Sequence, residues 1–329
     1  MTASCYIHGF GAYAPKRILT NDELAATVDT SDEWITSRTG IKRRHILADG
    51  EQVSDAGAHA AREALAEAGL APSAVTHLLF GTCTPDHLCP AAACITAAKL
   101  GMTAVAAYDF NAACSSFLYG LLQCRALLAS EPDACILLVC GEGVSRRLNW
   151  RDRSTCILFG DGAGAAVFSG RKKGALARLE DVICATDGKL WELITIGGGS
   201  ARRYGPGEPV SEDFFLAMQG REVFKHAVRN MAQVCKDILA RNALRAEDVH
   251  LLIPHQANMR IIEAVSSRLN FPEDRVFTNV ADYGNTSAAS VPLALYDARK
   301  QGRMPSGARV LMTTFGSGLT WAAGLLRLE

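Results

Sequence analysis

The chain repeats itself. Leu65, Leu70, Val75 and Leu78-Leu79 return at a constant offset of 174 residues as Leu239, Leu244, Val249 and Leu252-Ile253. At the same offset Asn111-Ala-Ala-Cys114-Ser-Ser116, with Leu121, falls on Asn285-Thr-Ser-Ala288-Ala-Ser290, with Leu295. A third pair, Phe159-Gly160-Asp161-Gly162 and Phe315-Gly316-Ser317-Gly318, keeps the same order at a spacing of 156 residues, so loop lengths differ. Ordered self-similarity of this kind predicts a duplicated unit. Its halves are 1–172 and 173–329, meeting near the basic turn Gly170-Arg171-Lys172-Lys173-Gly174.

Inside each half, helical and strand patterns alternate. Ser54 to Gly69 is Ala-rich and ends on a glycine placed as a C′ residue, while Val75–Phe80, Val105–Phe110 and Ile136–Val139 read as buried strands. The alternation predicts an α/β fold with buried parallel strands. Ligand sites in such folds lie beyond the carboxyl ends of strands. A pseudo-twofold would therefore bring Cys114 from one half and His255 and Asn285 from the other to one cavity.

Composition narrows the class. Of the 329 residues 49% are hydrophobic and 21% charged, enough for a large core. Lys plus Arg and Asp plus Glu both number 34, which argues against a nucleic-acid or membrane coat. The 11 cysteines lie mostly in apolar stretches with no C-x-x-C pair, so they predict no structural metal site and a reducing compartment. The first residues, Met1-Thr2-Ala3-Ser4-Cys5, lack a basic region followed by an apolar core, and no apolar run is long enough to span a bilayer. A cytoplasmic protein is the expectation.

Each chemistry-bearing residue has a plain structural reading beside the functional one. Cys114 follows a strand and opens a helical pattern, where the helix dipole and free N–H groups favour a thiolate, but a buried cysteine fits there too. His255 follows a strand in Pro254-His255-Gln256-Ala257-Asn258; a lone histidine is commonly structural. Asn285, in Gly284-Asn285-Thr286-Ser287, reads equally as a turn and helix cap. Gly160-Asp161-Gly162-Ala163-Gly164 lacks the spacing of a nucleotide loop and reads as a tight turn entering a strand.

In combination the segments are specific. Ala-Ala-Cys114-Ser-Ser, Phe-Gly-Asp-Gly-Ala-Gly-Ala-Ala, Pro-His255-Gln-Ala-Asn258, Gly-Asn285-Thr-Ser-Ala-Ala-Ser and Phe-Gly-Ser-Gly-Leu-Thr-Trp, with Asp29-Thr-Ser-Asp-Glu-Trp34-Ile and Arg38-Thr-Gly-Ile, resemble the β-ketoacyl-acyl carrier protein synthase III family. The resemblance runs from about residue 5 to the C-terminus. It implies a thiolase-like fold with a layered αβαβα core, a homodimer and a Cys114-His255-Asn285 site. It also implies ping-pong chemistry. An acyl group passes from coenzyme A, a substrate rather than a cofactor, to the cysteine and condenses with malonyl-acyl carrier protein as CO2 leaves. No metal or redox cofactor is implied. The backbone N–H groups of Cys114 and Ser317 would form the oxyanion hole, and Trp34, Arg38, Arg153 and Asn258 would bind coenzyme A. Arg260 would meet the carrier protein, and Phe315 and Cys89 would line the acyl pocket, Cys89 from across the dimer.

Three departures from the family pattern stand out: Arg221 where asparagine is common, Gly316-Ser317-Gly318 for Gly-Gly-Gly, and Cys89 for phenylalanine. A serine at 317 keeps a backbone donor only if its φ suits a side chain. Two enzyme readings stay open: the short-acyl initiator of fatty acid synthesis, or a secondary-metabolism condensing enzyme or acyltransferase using longer, branched or aromatic acyl groups. A non-catalytic binding paralogue is the third; retention of Cys114, His255 and Asn285 argues against it.

Overall fold

The offset of 174 recurs in three dimensions. In the computed structural model, which describes residues 4–199 and 211–329 (the leader reading of Met1–Ala3 lies outside them), strands His77–Gly81 and Cys135–Glu142 have counterparts in Leu251–Pro254 and Arg309–Gly316. The short turns Ala113–Ser115 and Ser287–Ala289, and the helices they feed, Ser116–Ser130 and Ser290–Lys300, are related in the same way.

Nine strands form one sheet in the order Leu251–Pro254, Arg309–Gly316, Thr320–Leu328, Ala177–Thr186, Tyr6–Tyr13, Gly162–Ser169, Cys135–Glu142, His77–Gly81, Ala106–Phe110. The halves join through a short antiparallel contact, Tyr6 with Arg178 and Ile7 with Ala177. The sheet is mixed rather than parallel throughout. Outer pairs are parallel, whereas strands flanking the junction are antiparallel, because each half ends on a strand that returns beside its predecessor. A lone bridge, Leu252 to Val276, stands where the second half would have its fifth strand.

The hydrophobic clusters define the layers. Helix Val53–Ala68 covers one half-sheet through Ala56, Ala60, Ala64 and Leu65, and helix Gly220–Arg241 covers the other through Val228, Met231, Cys235 and Ile238. Helices Ser116–Ser130 and Ser290–Lys300 lie between the half-sheets and bury Phe117, Leu121, Val291 and Leu295 in a shared core. This is an αβαβα arrangement. The middle helices begin where strand ends of both halves converge, and that places the site.

Helix Val53–Ala68 ends at Gly69, whose φ of +65° is the left-handed cap its position predicts. Its alanine face lets strand Tyr6–Tyr13 approach so closely that a Cβ on Gly11 would lie 2.0 Å from the Ala60 carbonyl oxygen. Gly11→Ala should therefore destabilise the fold by about 3 kcal/mol through overpacking. Gly188→Ala, with open space around it and no positive φ, should stay within about 0.5 kcal/mol of the parent. Denaturant midpoints of the two variants check this.

Candidate active site

Strand Ala106–Phe110 delivers the chain to Asn111, whose Oδ1 accepts the Ala113 N–H at 2.9 Å. Ala113 takes a left-handed φ of +47°, and the next residue is Cys114. The expectation that Cys114 opens the helix is corrected: it sits in a single 3₁₀ turn, Ala113–Ser115, and the helix begins at Ser116. The thiolate expectation is corrected too. Cys114 opens onto a cavity, yet the surrounding protein pushes its thiol up to about 12, and desolvation outweighs the hydrogen bond to Ser287. At neutral pH Cys114 is a thiol, with Sγ 3.5 Å from the Ser287 Oγ.

His255 follows strand Leu251–Pro254 and is only 2% exposed. Its Nδ1 lies 2.8 Å from the Ser290 Oγ, which accepts the Gln256 N–H at 2.7 Å. With Ser290 assigned as the donor to Nδ1, the imidazole proton sits on Nε2. Nε2 is buried with no protein partner and faces the cavity. Burial drives the imidazole down to about 3, so it is neutral at physiological pH.

Asn285 is both a turn residue and a site residue. Its Oδ1 accepts the Ser287 N–H at 2.9 Å, the bond Asn111 makes in the first half. That fixes the carboxamide orientation and leaves the NH2 group as the donor it offers the cavity. Its backbone is clamped between Leu158 and Gly160 by bonds of 2.8 and 3.1 Å.

Strand Arg309–Gly316 ends against Cys114: a Cβ on Gly316 would come within 2.8 Å of the Cys114 nitrogen, so glycine is required there. The following residue, Ser317, has no left-handed φ, so a side chain costs nothing, and its hydroxyl donates to the Ile194 carbonyl at 2.6 Å.

Cys114, His255, Asn285, Phe315 and Ser317 line one cavity of about 560 Å³, which also reaches Trp34, Arg38, Asn258 and Arg260. No aspartate or glutamate is among its lining residues within the described chain. At one end Trp34 is covered by the guanidinium groups of Arg38, at 4.4 Å, and Arg153, at 4.7 Å. Arg153 does not itself line the cavity and donates to the Asp29 carbonyl at 2.6 Å. Asn258 caps helix Met259–Arg268, its Oδ1 accepting the Arg260 N–H at 2.9 Å; Arg260 is exposed. Arg221 is exposed beside the lining residue Gly220. Cys89 is exposed and lies outside the chain's own cavity, next to Leu88, which is 87% exposed.

One group escaped the sequence reading. Glu142 ends strand Cys135–Glu142 fully buried, behind the cavity wall. It accepts the hydroxyls of Thr82 at 3.2 Å, Ser287 at 3.2 Å and Thr84, and the Cys83 N–H at 3.1 Å. Its only trace in the sequence is a carboxylate closing an apolar run.

Comparisons with known proteins agree along the whole chain. Residues 108–188 match the family described as 3-oxoacyl-[acyl-carrier-protein (ACP)] synthase III, and residues 239–328 match the C-terminal part of the same synthase. A β-ketoacyl-[acyl-carrier-protein] synthase III of Nitratidesulfovibrio vulgaris is 58% identical over 99% of both chains. The crystal structure of the 3-oxoacyl-[acyl-carrier-protein] synthase III of Aquifex aeolicus superposes with a TM-score of 0.91 at 42% identity, covering 98% of this chain and 99% of that one. The Pseudomonas aeruginosa enzyme gives 0.90 at 39%, covering 99% and 98%. With its fold, motif order and full-length similarity in agreement, this chain belongs to the 3-oxoacyl-[acyl-carrier-protein] synthase III family.

Proposed function

We propose that this protein is the initiating β-ketoacyl-acyl carrier protein synthase III of fatty acid synthesis, condensing a short acyl-CoA with malonyl-acyl carrier protein to 3-oxoacyl-carrier protein, coenzyme A and CO2. The observation that carries this reading is the single carboxylate-free cavity on which a buried thiol, an unpartnered imidazole Nε2 and an oriented carboxamide converge. In the first half-reaction the Cys114 sulfur attacks the thioester carbonyl, with the N–H groups of Cys114 and Ser317 facing the oxyanion. In the second, CO2 loss leaves an enolate, and the His255 Nε2–H and Asn285 NH2 donate to its oxygen in a cavity that no carboxylate lines.

Other assignments follow from placement. Trp34, Arg38 and Arg153 suit the adenine and phosphate end of coenzyme A. Stacking a ring between Trp34 and Arg153 needs about 7 Å, twice a van der Waals separation, so Arg153 must swing away from its 4.7 Å contact. Asn258 keeps its NH2 for the pantetheine arm, and exposed Arg260 suits an acidic carrier protein. A homodimer suits the edge strand Ala106–Phe110, paired on one side only, where Tyr108 is 40% exposed. It would carry the exposed loop with Leu88 and Cys89 towards a partner's pocket. All eleven cysteines are free thiols, in keeping with a cytoplasmic enzyme.

Four outcomes test this. Acyl-CoA should load one acyl group on Cys114, and none on the exposed Cys89 or Cys94, which lie outside the cavity; peptide mass spectrometry reads the position, and a stable thioester on Cys114→Ser would refute it. His255→Ala and Asn285→Ala should each slow malonyl decarboxylation on the order of 10²-fold, acyl loading much less, and the double variant should lose little more. Because His255 is already neutral, CO2 release should show no imidazole inflection between pH 5.5 and 7.5. An inflection there that vanishes in His255→Gln would contradict the neutral donor. Finally, Cys89→Phe should narrow primer preference towards acetyl-CoA by about tenfold against a four-carbon primer, two buried methylenes at about 0.8 kcal/mol each. Equal kcat/KM ratios across two-, four- and six-carbon primers would remove Cys89 from chain-length control.

A further inference from the structure

We propose that Glu142 takes the Cys114 thiol proton, through the Ser287 hydroxyl, when the cysteine attacks its acyl donor. The proposal rests on the synthase reading for the identity of that donor and on the geometry alone for the proton path.

The path is continuous and its direction is fixed. Cys114 Sγ lies 3.5 Å from Ser287 Oγ, and Ser287 Oγ lies 3.2 Å from Glu142 Oε1. The Thr82 hydroxyl accepts the Thr84 N–H at 3.1 Å, and the Thr84 hydroxyl accepts the Gly143 N–H at 2.9 Å. Both hydroxyl protons are thereby turned towards Glu142. Together with the Cys83 N–H and the Ser287 hydroxyl they present four donors, the environment of a carboxylate rather than a carboxylic acid. Ser287 gives its proton to Glu142 and so holds a lone pair towards the thiol. His255 is poorly suited to the same task. Its Nε2 bears the proton, and its Nδ1 meets a serine hydroxyl rather than a carboxylate that would stabilise an imidazolium.

The proton balance closes. The Cys114 S–H bond breaks as its proton passes to Ser287 Oγ, and the Ser287 proton passes to Glu142. The thiolate forms the S–C bond, and the departing coenzyme A thiolate takes a proton from solvent. After condensation Cys114 leaves as a thiolate and recovers its proton along the reverse route. Glu142 does not line the cavity and reaches the Cys114 sulfur only through Ser287, so it is a positioning residue and proton store, with the Cys83 thiol as a further neighbour.

Burial raises both ends of the path, the Glu142 carboxyl above the usual carboxylate range and the Cys114 thiol to about 12. The transfer therefore runs uphill and is completed only as the S–C bond forms. The titratable groups facing it are thiols: Cys83 from the adjoining loop, Cys114 from the turn and Cys140 on its own strand. A carboxylate with a raised pKa loses its charge as pH falls through that pKa, so the relay works above it and fails below it.

The test follows alkylation of Cys114 by iodoacetamide, read on its peptide by mass spectrometry from pH 5 to 10, beside acyl loading from acetyl-CoA. In the parent, the Cys114 rate should rise through one inflection above the ordinary carboxylate range and then level off. Glu142→Gln should remove the inflection and slow both reactions on the order of 10²-fold at pH 7. Its rate should then climb in proportion to hydroxide. Ser287→Ala should do the same, and the double variant no more. Should Glu142→Gln fail to fold, Ser287→Ala carries the test alone. It keeps the other three donors to Glu142, and its φ of +49° is matched by Ala113 at +47° in the first half. Parent-like rates and pH profiles in folded variants would overturn the proposal, as would an inflection lost in His255→Gln but kept in Glu142→Gln. Normal alkylation behaviour with no acyl loading from any acyl-CoA would leave the relay standing and sink the synthase reading.

Discussion

Desolvation at the centre of the middle layer governs this structure. Helices Ser116–Ser130 and Ser290–Lys300 are enclosed between the half-sheets, and the turns that start them meet at the wall of the cavity. Burial there raises the Cys114 thiol and the Glu142 carboxyl and lowers the His255 imidazole. A neutral thiol and a neutral imidazole suit the proposed chemistry, because the charges that matter, the oxyanion and the enolate, then arise only during reaction. Fixed donors in a dry site are worth most at that moment.

The 174-residue repeat runs through the backbone, and the side chains it carries are asymmetric. Positions 174 residues apart share backbone: Ala113 and Ser287 are both left-handed, and Asn111 and Asn285 both accept an N–H two residues on at 2.9 Å. Side chains at the same register differ. Cys114 faces Ala288 across the repeat, His255 corresponds to Gly81, and Glu142 corresponds to Gly316. The two glycines are needed where they stand: a Cβ on Gly81 would lie 2.8 Å from the Ser116 Cβ, and one on Gly316 equally close to the Cys114 nitrogen. One half therefore carries Cys114 and the buried carboxylate, while the other carries His255 and Asn285.

Local order and the repeat were legible in the sequence, because hydrophobic period and turn chemistry are written along the chain. Gly69 as a helix cap and the Ala-rich helix before it follow from neighbouring residues, and the relation of Asn111 to Asn285 follows from the repeat. Depth is not written that way. A cysteine beside a helix start suggests a lowered pKa, but the layers packed over Cys114 come from both halves of the chain and reverse the sign. Glu142 was hidden for the same reason. Its donors Thr82, Cys83 and Thr84 come from another strand's end and Ser287 from the opposite half, so no spacing rule joins them. The antiparallel strands at the junction were missed because alternation of helix and strand specifies neighbours, not directions.

Precision at Asn285 depends in turn on a cation that takes no part in the chemistry. Arg44 is fully buried and has no carboxylate partner among the described residues. Its guanidinium donates instead to the Asn21 Oδ1 at 2.7 Å and to the Ile157 carbonyl at 2.6 Å. Burial without a counter-charge lowers it to about 10, still cationic at neutral pH. An unpaired buried cation must hold the carbonyls that solvate it, because losing one leaves charge exposed to a low dielectric. Ile157 leads directly into Leu158–Gly160, the segment that brackets Asn285, and a Cβ on Gly160 would lie 2.9 Å from the Arg44 Cβ. The Arg44 side chain thus backs the Asn285 loop from behind while its charge anchors the turn at Ile157 beside it. The carboxamide is held by hydrogen bonds on one side and by a desolvated ion on the other.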